Sequence, residues 1–220
     1  TRYWRDWSSD VCSSDLGSGN WIAPATMVIR AELLGGGGGG SAGNGEWASG
    51  GGGGGYLIAT YSVTANQSYS YSVGSNGAAQ TACNNANWSI SGKGGNSTFG
   101  TLVAGGGYGG GSVSTGWNAG APYSGQGGTN TTTGASTVVK NYAGQNASNA
   151  GGDANAYGGS NGLKNIENDS TYGSGAATVG NFSPGNHASG NGNGGGGGPS
   201  CQNGHRGGGN GSAGIIKLTY

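Results

Sequence analysis

Glycine supplies 57 of the 220 residues of this chain, and its eight basic and eight acidic side chains balance to no net charge. Leu, Ile, Val and Phe together number only 25, and glycine comes in solid runs instead of at every third position, which excludes a conventional packed globule, a long amphipathic helix bundle, a coiled coil and collagen. No apolar stretch approaches the ~18 residues of a membrane span, and scattered Lys and Arg residues are too few for a nucleic-acid surface.

Residues 1–16 differ from the rest of the chain because they contain no glycine. Residues 7–16, WSSDVCSSDL, can be back-translated into a string that resembles a common sequencing-library adapter read in frame. We therefore expect residues 1–16 to be a non-native segment and residues 17–220 to form a single glycine-rich domain. This expectation removes Cys12 from the cysteines considered below.

Short strands follow along the chain, each indicated by apolar or β-branched residues at every second position. The alternation is clearest in TMVIRAELL, and it returns in SYSYSV, where tyrosines alternate with serines. A turn-like TANQ between the second and third strands indicates a hairpin with one solvent-facing side. No helix is predicted. The sequence thus predicts an all-β or irregular fold with short strands at about 26–34, 56–63, 68–73, 98–104 and 214–220.

Runs of glycine lie directly beside these strands. The runs begin or end at Gly35, Gly40, Gly50, Gly55, Gly105, Gly111, Gly194, Gly198, Gly207 and Gly209. The remaining stretches are rich in Asn, Ser, Thr and Gly with isolated aromatic residues, a composition typical of loops. We expect variable loops at about 76–93, 112–178 and 181–206.

A glycine run can adopt either of two structures. One is a flexible coil. The other is polyglycine II, with three residues per turn, no internal hydrogen bonds, and outward N–H and C=O groups that can bond to neighbouring helices. Ordering a glycine costs ~1–2 kcal/mol, whereas a hydrogen bond to a neighbour returns ~0.5–1.5 kcal/mol. A packed array therefore needs an apolar clamp, which we expect the strands at 26–34 and 214–220, with Trp21, to provide.

Four blocks of the chain resemble the glycine-rich domain of bacteriophage tail-fibre and distal adhesin proteins. The blocks are WIAPATMVIRAELLGGGGGG (21–40), GGGGGGYLIATYSVTANQSYSYSVGSNG (50–77), GKGGNSTFGTLVAGGGYGGG (92–111) and GGGNGSAGIIKLTY (207–220). The resemblance implies packed polyglycine-II helices that support variable loops, with the loops binding a receptor on the host. Residues 112–178 depart from the pattern because they contain only short glycine pairs, so fewer or shorter helices are expected there.

Reactive side chains are few in residues 17–220. The two remaining cysteines, Cys83 and Cys201, lie in predicted loops, and they form either a disulfide or, if the protein assembles in a reducing cytosol, free thiols. His187 and His205 complete no metal-binding spacing with them, so no metal and no cofactor are predicted. No arrangement of Ser, His and Asp and no pair of carboxylates stands out, and we expect no catalytic residues and no enzymatic activity.

Aromatic residues in the predicted loops are the best candidates for receptor contact. They are Trp88, Trp117, Tyr123, Tyr142 and Tyr157. Exposed aromatics among Ser, Gly and Asn give a large contact area at small rotamer cost, as in recognition loops, and they can also stack on sugars. The alternative is that each ring packs over the glycine segments, which have no side chains of their own.

These observations lead us to expect a non-enzymatic receptor-binding adhesin domain at the distal part of a phage tail fibre. Its partners would be a bacterial outer-surface protein or glycan and the tail-fibre shaft protein, with no nucleic acid and no membrane insertion. Its location would be the virion, at the fibre tip, or the extracellular cell surface. The alternatives are a bacterial cell-surface or structural glycine-rich module without a specific receptor, and an unfolded glycine-rich chain.

Overall fold

The computed structural model of the protein describes residues 11–12, 17–41, 47–80, 88–113, 125–147, 188, 190 and 208–220. These residues contain thirteen β-strands and, as the sequence predicts, no helix. In chain order the strands are β1 (Val11–Cys12), β2 (Ser18–Ile22), β3 (Met27–Leu34), β4 (Trp47–Ala48), β5 (Tyr56–Val63), β6 (Ser68–Ser72), β7 (Trp88–Ile90), β8 (Ser97–Phe99), β9 (Leu102–Ala104), β10 (Gly111–Val113), β11 (Asn130–Thr131), β12 (Thr137–Tyr142) and β13 (Ile215–Thr219).

The strands form antiparallel sheets. Two sheets have five strands each, in the orders β1-β13-β3-β5-β12 and β11-β9-β8-β6-β2, and a small sheet has the order β4-β10-β7. The two large sheets share one apolar core, because alternate residues of their strands point towards each other. Its fully buried members include Ile29, Leu33, Leu57, Phe99 and Leu102.

Aromatic rings fill one part of this core, around Phe99. Its ring centroid lies 5.9 Å from that of Trp21, 5.7 Å from that of Tyr61 and 6.0 Å from that of Tyr69. These separations are those of favourable aromatic pairs. Trp21 therefore packs against the apolar core that the two large sheets share.

Four of the five predicted strands correspond to β3, β5, β6 and β13, each within one residue of its predicted bounds. The prediction of one strand at 98–104 was wrong, since β8 and β9 are separated by a turn in which Gly100 has a φ of 55°. The predicted hairpin was also wrong. Although a turn does follow β5, β5 and β6 belong to different large sheets and do not pair.

Strands also occur inside the predicted loops. Strand β7 lies within 76–93, and β10, β11 and β12 lie wholly or largely within 112–178. These strands are short runs such as TVVKNY among many Asn, Ser and Thr residues, so the loop-like composition of the region outweighed the strand pattern in the prediction. Of the first sixteen residues, Val11–Cys12 pair with β13.

Eight extended segments connect the strands, and we call them together the glycine layer. They cover residues 35–41, 49–55, 74–80, 91–96, 105–110, 125–129, 143–147 and 208–214. Four of them continue from the ends of β3, β6, β9 and β12, and the other four lead into β5, β8, β11 and β13. Each segment therefore has one end at the large sheets, the sheet end, and one end away from them, the far end.

Hydrogen bonds between the segments follow a period of three residues. Along the central segment, 35–41, successive N–H groups donate to three neighbours in turn, and every third N–H returns to the same neighbour. In order, the accepting carbonyl groups belong to residues 55, 95, 212, 52, 92, 209 and 49, at 2.8–3.0 Å. The central segment also accepts from two more segments, since Gly107 donates to Gly36 at 2.9 Å and Gly77 donates to Gly37 at 2.8 Å.

The spacing of this layer excludes side chains from its interior. Every residue of the central segment is buried. A Cβ atom built on Gly38 would lie 2.1 Å from the carbonyl oxygen of Tyr108, and one built on Gly54 would lie 2.0 Å from that of Gly35. Since neither oxygen can rotate away, only glycine fits these positions.

Candidate functional site

Each outgoing segment ends at the far end of the glycine layer, where the next segment along the chain begins, and we call the intervening stretches of sequence the far-end crossings. The crossings span residues 42–48, 81–90, 111–124 and 148–207. They contain much of the sequence that was predicted to form variable loops. All of them begin and end on the same side of the layer, because the connections on the other side are made by the strands of the two large sheets.

Backbone hydrogen bonds hold the starting points of these crossings together. Gln80, the last described residue before one crossing, donates its N–H to Gly40 at 3.1 Å. Ala147, before another, donates to Gly125 at 2.8 Å. The small sheet joins three crossings, since β10 pairs with both β4 and β7. The far end is therefore one continuous platform.

Three buried serines close the glycine segments at this platform. Ser41, Ser49 and Ser91 are 0%, 5% and 7% exposed. The hydroxyls of Ser41 and Ser49 both donate to the carbonyl oxygen of Gly111 at 3.0 Å, and that of Ser91 donates to Gly110 at 2.8 Å. These hydroxyls supply partners to backbone groups where the glycine segments end, and so fix the bases from which the crossings depart.

A family model described as a glycine-rich domain matches residues 13–220. The chain belongs to this glycine-rich domain family. The match includes strands β2 to β13 and the glycine layer. No curated protein matches the chain.

The glycine-rich domain places two of the predicted receptor-contact residues apart. Trp88 begins β7 at the far end, where its backbone pairs with Val113. Tyr142 ends β12, pairs with Tyr56 at the sheet end, and is 37% exposed. Tyr142 therefore lies away from the platform that carries the crossings.

Most of the other predicted residues lie outside the described part of the glycine-rich domain. These are Trp117, Tyr123, Tyr157, Cys83, Cys201, His187, His205, Gly194, Gly198 and Gly207. The contact role of the aromatics and the alternatives for the two cysteines stay predictions. In the described residues, no group of three or more His, Cys, Asp or Glu side chains could hold a metal ion, and no helix is long and apolar enough to cross a membrane.

Charge in the described part of the glycine-rich domain lies mainly on the large sheets. Glu32 is 7% exposed; its carboxylate accepts from the Tyr56 hydroxyl and lies 3.5 Å from Nη1 of Arg30. Lys93 lies instead on the glycine layer, with Nζ 4.2 Å from the centroid of the Tyr108 ring. Tyr108 is 48% exposed, and the sequence analysis did not single it out. The sequence signal for Tyr108 was its position as a lone aromatic residue within the glycine run GGGYGGG.

Proposed function

We propose that this glycine-rich domain is a non-enzymatic receptor-binding adhesin domain whose far-end crossings contact a bacterial outer-surface protein or glycan. One observation carries the proposal: the alternating direction of the segments brings every outgoing end to one platform, opposite the large sheets. Binding residues are commonly carried by loops on a rigid scaffold. The crossings are rich in Ser, Gly, Asn and aromatic residues, a composition that recognition loops use.

We also propose that the glycine layer is an array of packed polyglycine-II helices. The support is the three-residue hydrogen-bond period, because a helix with three residues per turn presents every third N–H to the same neighbour. A second argument is that a neighbouring carbonyl oxygen fills the space that a Cβ atom would need at positions such as Gly38, so these positions require glycine. Such an array would hold the platform rigidly without a side-chain core.

The proposed location is the tip of a phage tail fibre, with the tail-fibre shaft protein as the structural partner. The support is the sequence resemblance to tail-fibre and distal adhesin domains. A location on the extracellular cell surface agrees with the same observations. The second candidate function is therefore a bacterial cell-surface or structural glycine-rich module that has no specific receptor.

The experiment is a binding and competition assay with the purified domain. The labelled domain is applied to a panel of bacterial strains and is then added before phages that adsorb to the strains it binds. We expect saturable binding to a subset of strains and reduced adsorption of phages that share the receptor. A variant with residues 114–122 replaced by a Gly/Ser linker should lose binding and keep the urea midpoint of the parent domain.

A matched control replaces exposed residues on the sheets, Val28→Ser and Val139→Ser, which are 59% and 51% exposed in the parent domain. This control should bind as the parent does. If no strain is bound, the structural module without a receptor becomes the better explanation. If binding survives replacement of each far-end crossing in turn, the location of the binding surface is wrong.

A further inference from the structure

One outer side of the glycine layer is formed by three segments, which we call the outer row: 91–96, 105–110 and 125–129. Gly94 of the first segment donates its N–H to Gly107 of the second at 2.8 Å. Tyr108 of the second donates its N–H to Gln126 of the third at 2.8 Å. The three backbones therefore lie side by side.

Exposed side chains on this row stand out from a glycine background. Tyr108 is 48% exposed, and Lys93 and Gln126, on the segments to either side, are exposed as well. Neighbouring positions such as Gly94 and Gly107 are buried glycines, which have no side chain that could cover the ring. The outer row therefore carries an exposed ammonium group, an aromatic ring and an amide, one on each segment.

The Tyr108 side chain is not needed to build the layer. The residue joins the layer through its backbone, since its N–H donates to Gln126 and its carbonyl oxygen accepts from Gly52, both at 2.8 Å. The Nζ atom of Lys93 lies 4.2 Å from the ring centroid, within the range of a cation–π contact. This contact holds the cation and the ring together as one unit.

We propose that Lys93, Tyr108 and Gln126 form a lateral binding site for an acidic sugar that carries a carboxylate. The apolar face of a pyranose ring packs on an exposed aromatic ring, and its hydroxyls bond to an amide such as that of Gln126. Lys93 pairs with the carboxylate. Charge complementarity selects this ligand, because the outer row contains Lys93 and no Asp or Glu.

Asn96 supports this assignment at the edge of the row. Its Oδ1 accepts the N–H of Gly106 at 2.9 Å, which fixes the side chain and directs its NH₂ group the other way. Asn96 is exposed and lies one three-residue period after Lys93 on the same segment. It therefore adds a positioned donor for a sugar hydroxyl on the side of the cation.

The proposal concerns a side of the scaffold and is independent of the far-end crossings. It is tested by titrating the ¹⁵N-labelled domain with trigalacturonate, N-acetylneuraminic acid methyl glycoside and, as the uncharged control, methyl-esterified trigalacturonate. We expect amide shifts confined to the outer row for at least one acidic probe, with at least tenfold weaker binding of the esterified control. Tyr108→Ala and Lys93→Met should each weaken binding of that probe at least tenfold.

Tyr142→Ala is the matched control, because it removes an exposed tyrosine from the sheet end and should leave binding unchanged. The linker variant of residues 114–122 should also bind the acidic probe as the parent does, which separates this site from the proposed receptor surface. The proposal is overturned if no acidic probe shifts the outer row, or if the esterified control binds equally well. It is also overturned if Tyr108→Ala retains full affinity in a domain whose other amide signals are unchanged.

Discussion

The hydroxyl of Ser97 donates to the carbonyl oxygen of Leu34 at 2.6 Å, and so joins the first residue of β8 to the last residue of β3. The same hydroxyl accepts the N–H of Gly74 at 2.9 Å. Ser97 is fully buried. One side chain thus connects both large sheets to the start of a glycine segment, at the point where side-chain packing gives way to backbone packing.

Replacing Ser97 with Ala should destabilise the domain. The change leaves the Leu34 carbonyl and the Gly74 N–H without this partner in a buried site, and a buried group left unsatisfied costs about 1–3 kcal/mol. The measurement is urea unfolding followed by tryptophan fluorescence. The control is Ser62→Ala, because the Ser62 hydroxyl bonds to that of Ser136 at an exposed position and its loss should cost under ~0.5 kcal/mol. Equal stability of the two variants would contradict the joining role of Ser97.

Replacing Gly38 with Ala should destabilise the glycine layer at its centre. The new Cβ would meet the Tyr108 carbonyl oxygen at 2.1 Å, so two segments must move apart. Overpacking of this kind costs about 1–3 kcal/mol or more. The control is Gly19→Ala, whose Cβ would meet only the end of the Tyr71 side chain at 2.8 Å, which can turn away. The urea midpoint of Gly38→Ala should fall well below that of the control, and equal midpoints would count against a tightly packed layer.

Tyr56→Phe tests the buried carboxylate of the sheet. The Tyr56 hydroxyl donates to Glu32, and both residues are over nine-tenths buried. A hydrogen bond to a charged group contributes about 1.5–3 kcal/mol, so the variant should lose stability in that range. Tyr142→Phe, at an exposed position of β12, is the control and should be neutral. A neutral Tyr56→Phe would mean that other partners fully support Glu32.

The strands could be predicted where burial imposes alternation. In β3, Ile29, Ala31 and Leu33 face the shared core, and their spacing of two residues was visible in the sequence. The pattern at 98–104 indicated one strand because Thr98 and Phe99 on one side of Gly100 and Thr101 on the other favour strands, although a glycine inside a short strand pattern is itself a signal for a turn. Strand β2, SGNWI, has no such alternation, and it is recognisable only from its pairing with β6.

The layout of the glycine layer could be predicted only in part. A run of glycine indicates a segment that has no room for side chains, but it does not indicate which runs are neighbours in the fold. The central position of 35–41 depends on partners as distant in sequence as Ser212. Segments 74–80 and 143–147 contain few glycines, because only their inward-facing positions, such as Gly74, Gly77 and Gly144, need to be glycine. Composition therefore assigned these segments to loops.

Amide hydrogen exchange offers the most direct test of the layer. The buried residues 35–40 donate their N–H groups to carbonyl groups in three neighbouring segments, so their exchange requires separation of those segments and should be slow, close to the rate set by global unfolding. Run 50–55 should be protected in the same way, since Gly52, Gly53 and Gly55 donate at 2.7–2.9 Å. The measurement is exchange of the ¹⁵N-labelled domain followed by NMR.

The Gly38→Ala variant provides the internal comparison for this experiment. Exchange in 35–40 and 50–55 should accelerate more than exchange in β3 and β5, because the added methyl group separates glycine segments while the large sheets keep their own ladder and apolar core. Exchange of both glycine runs at the rate of an unstructured peptide, in the parent domain, would favour the flexible-coil alternative. In that case the far-end crossings would have no rigid base, and the proposed receptor surface would lose its structural support.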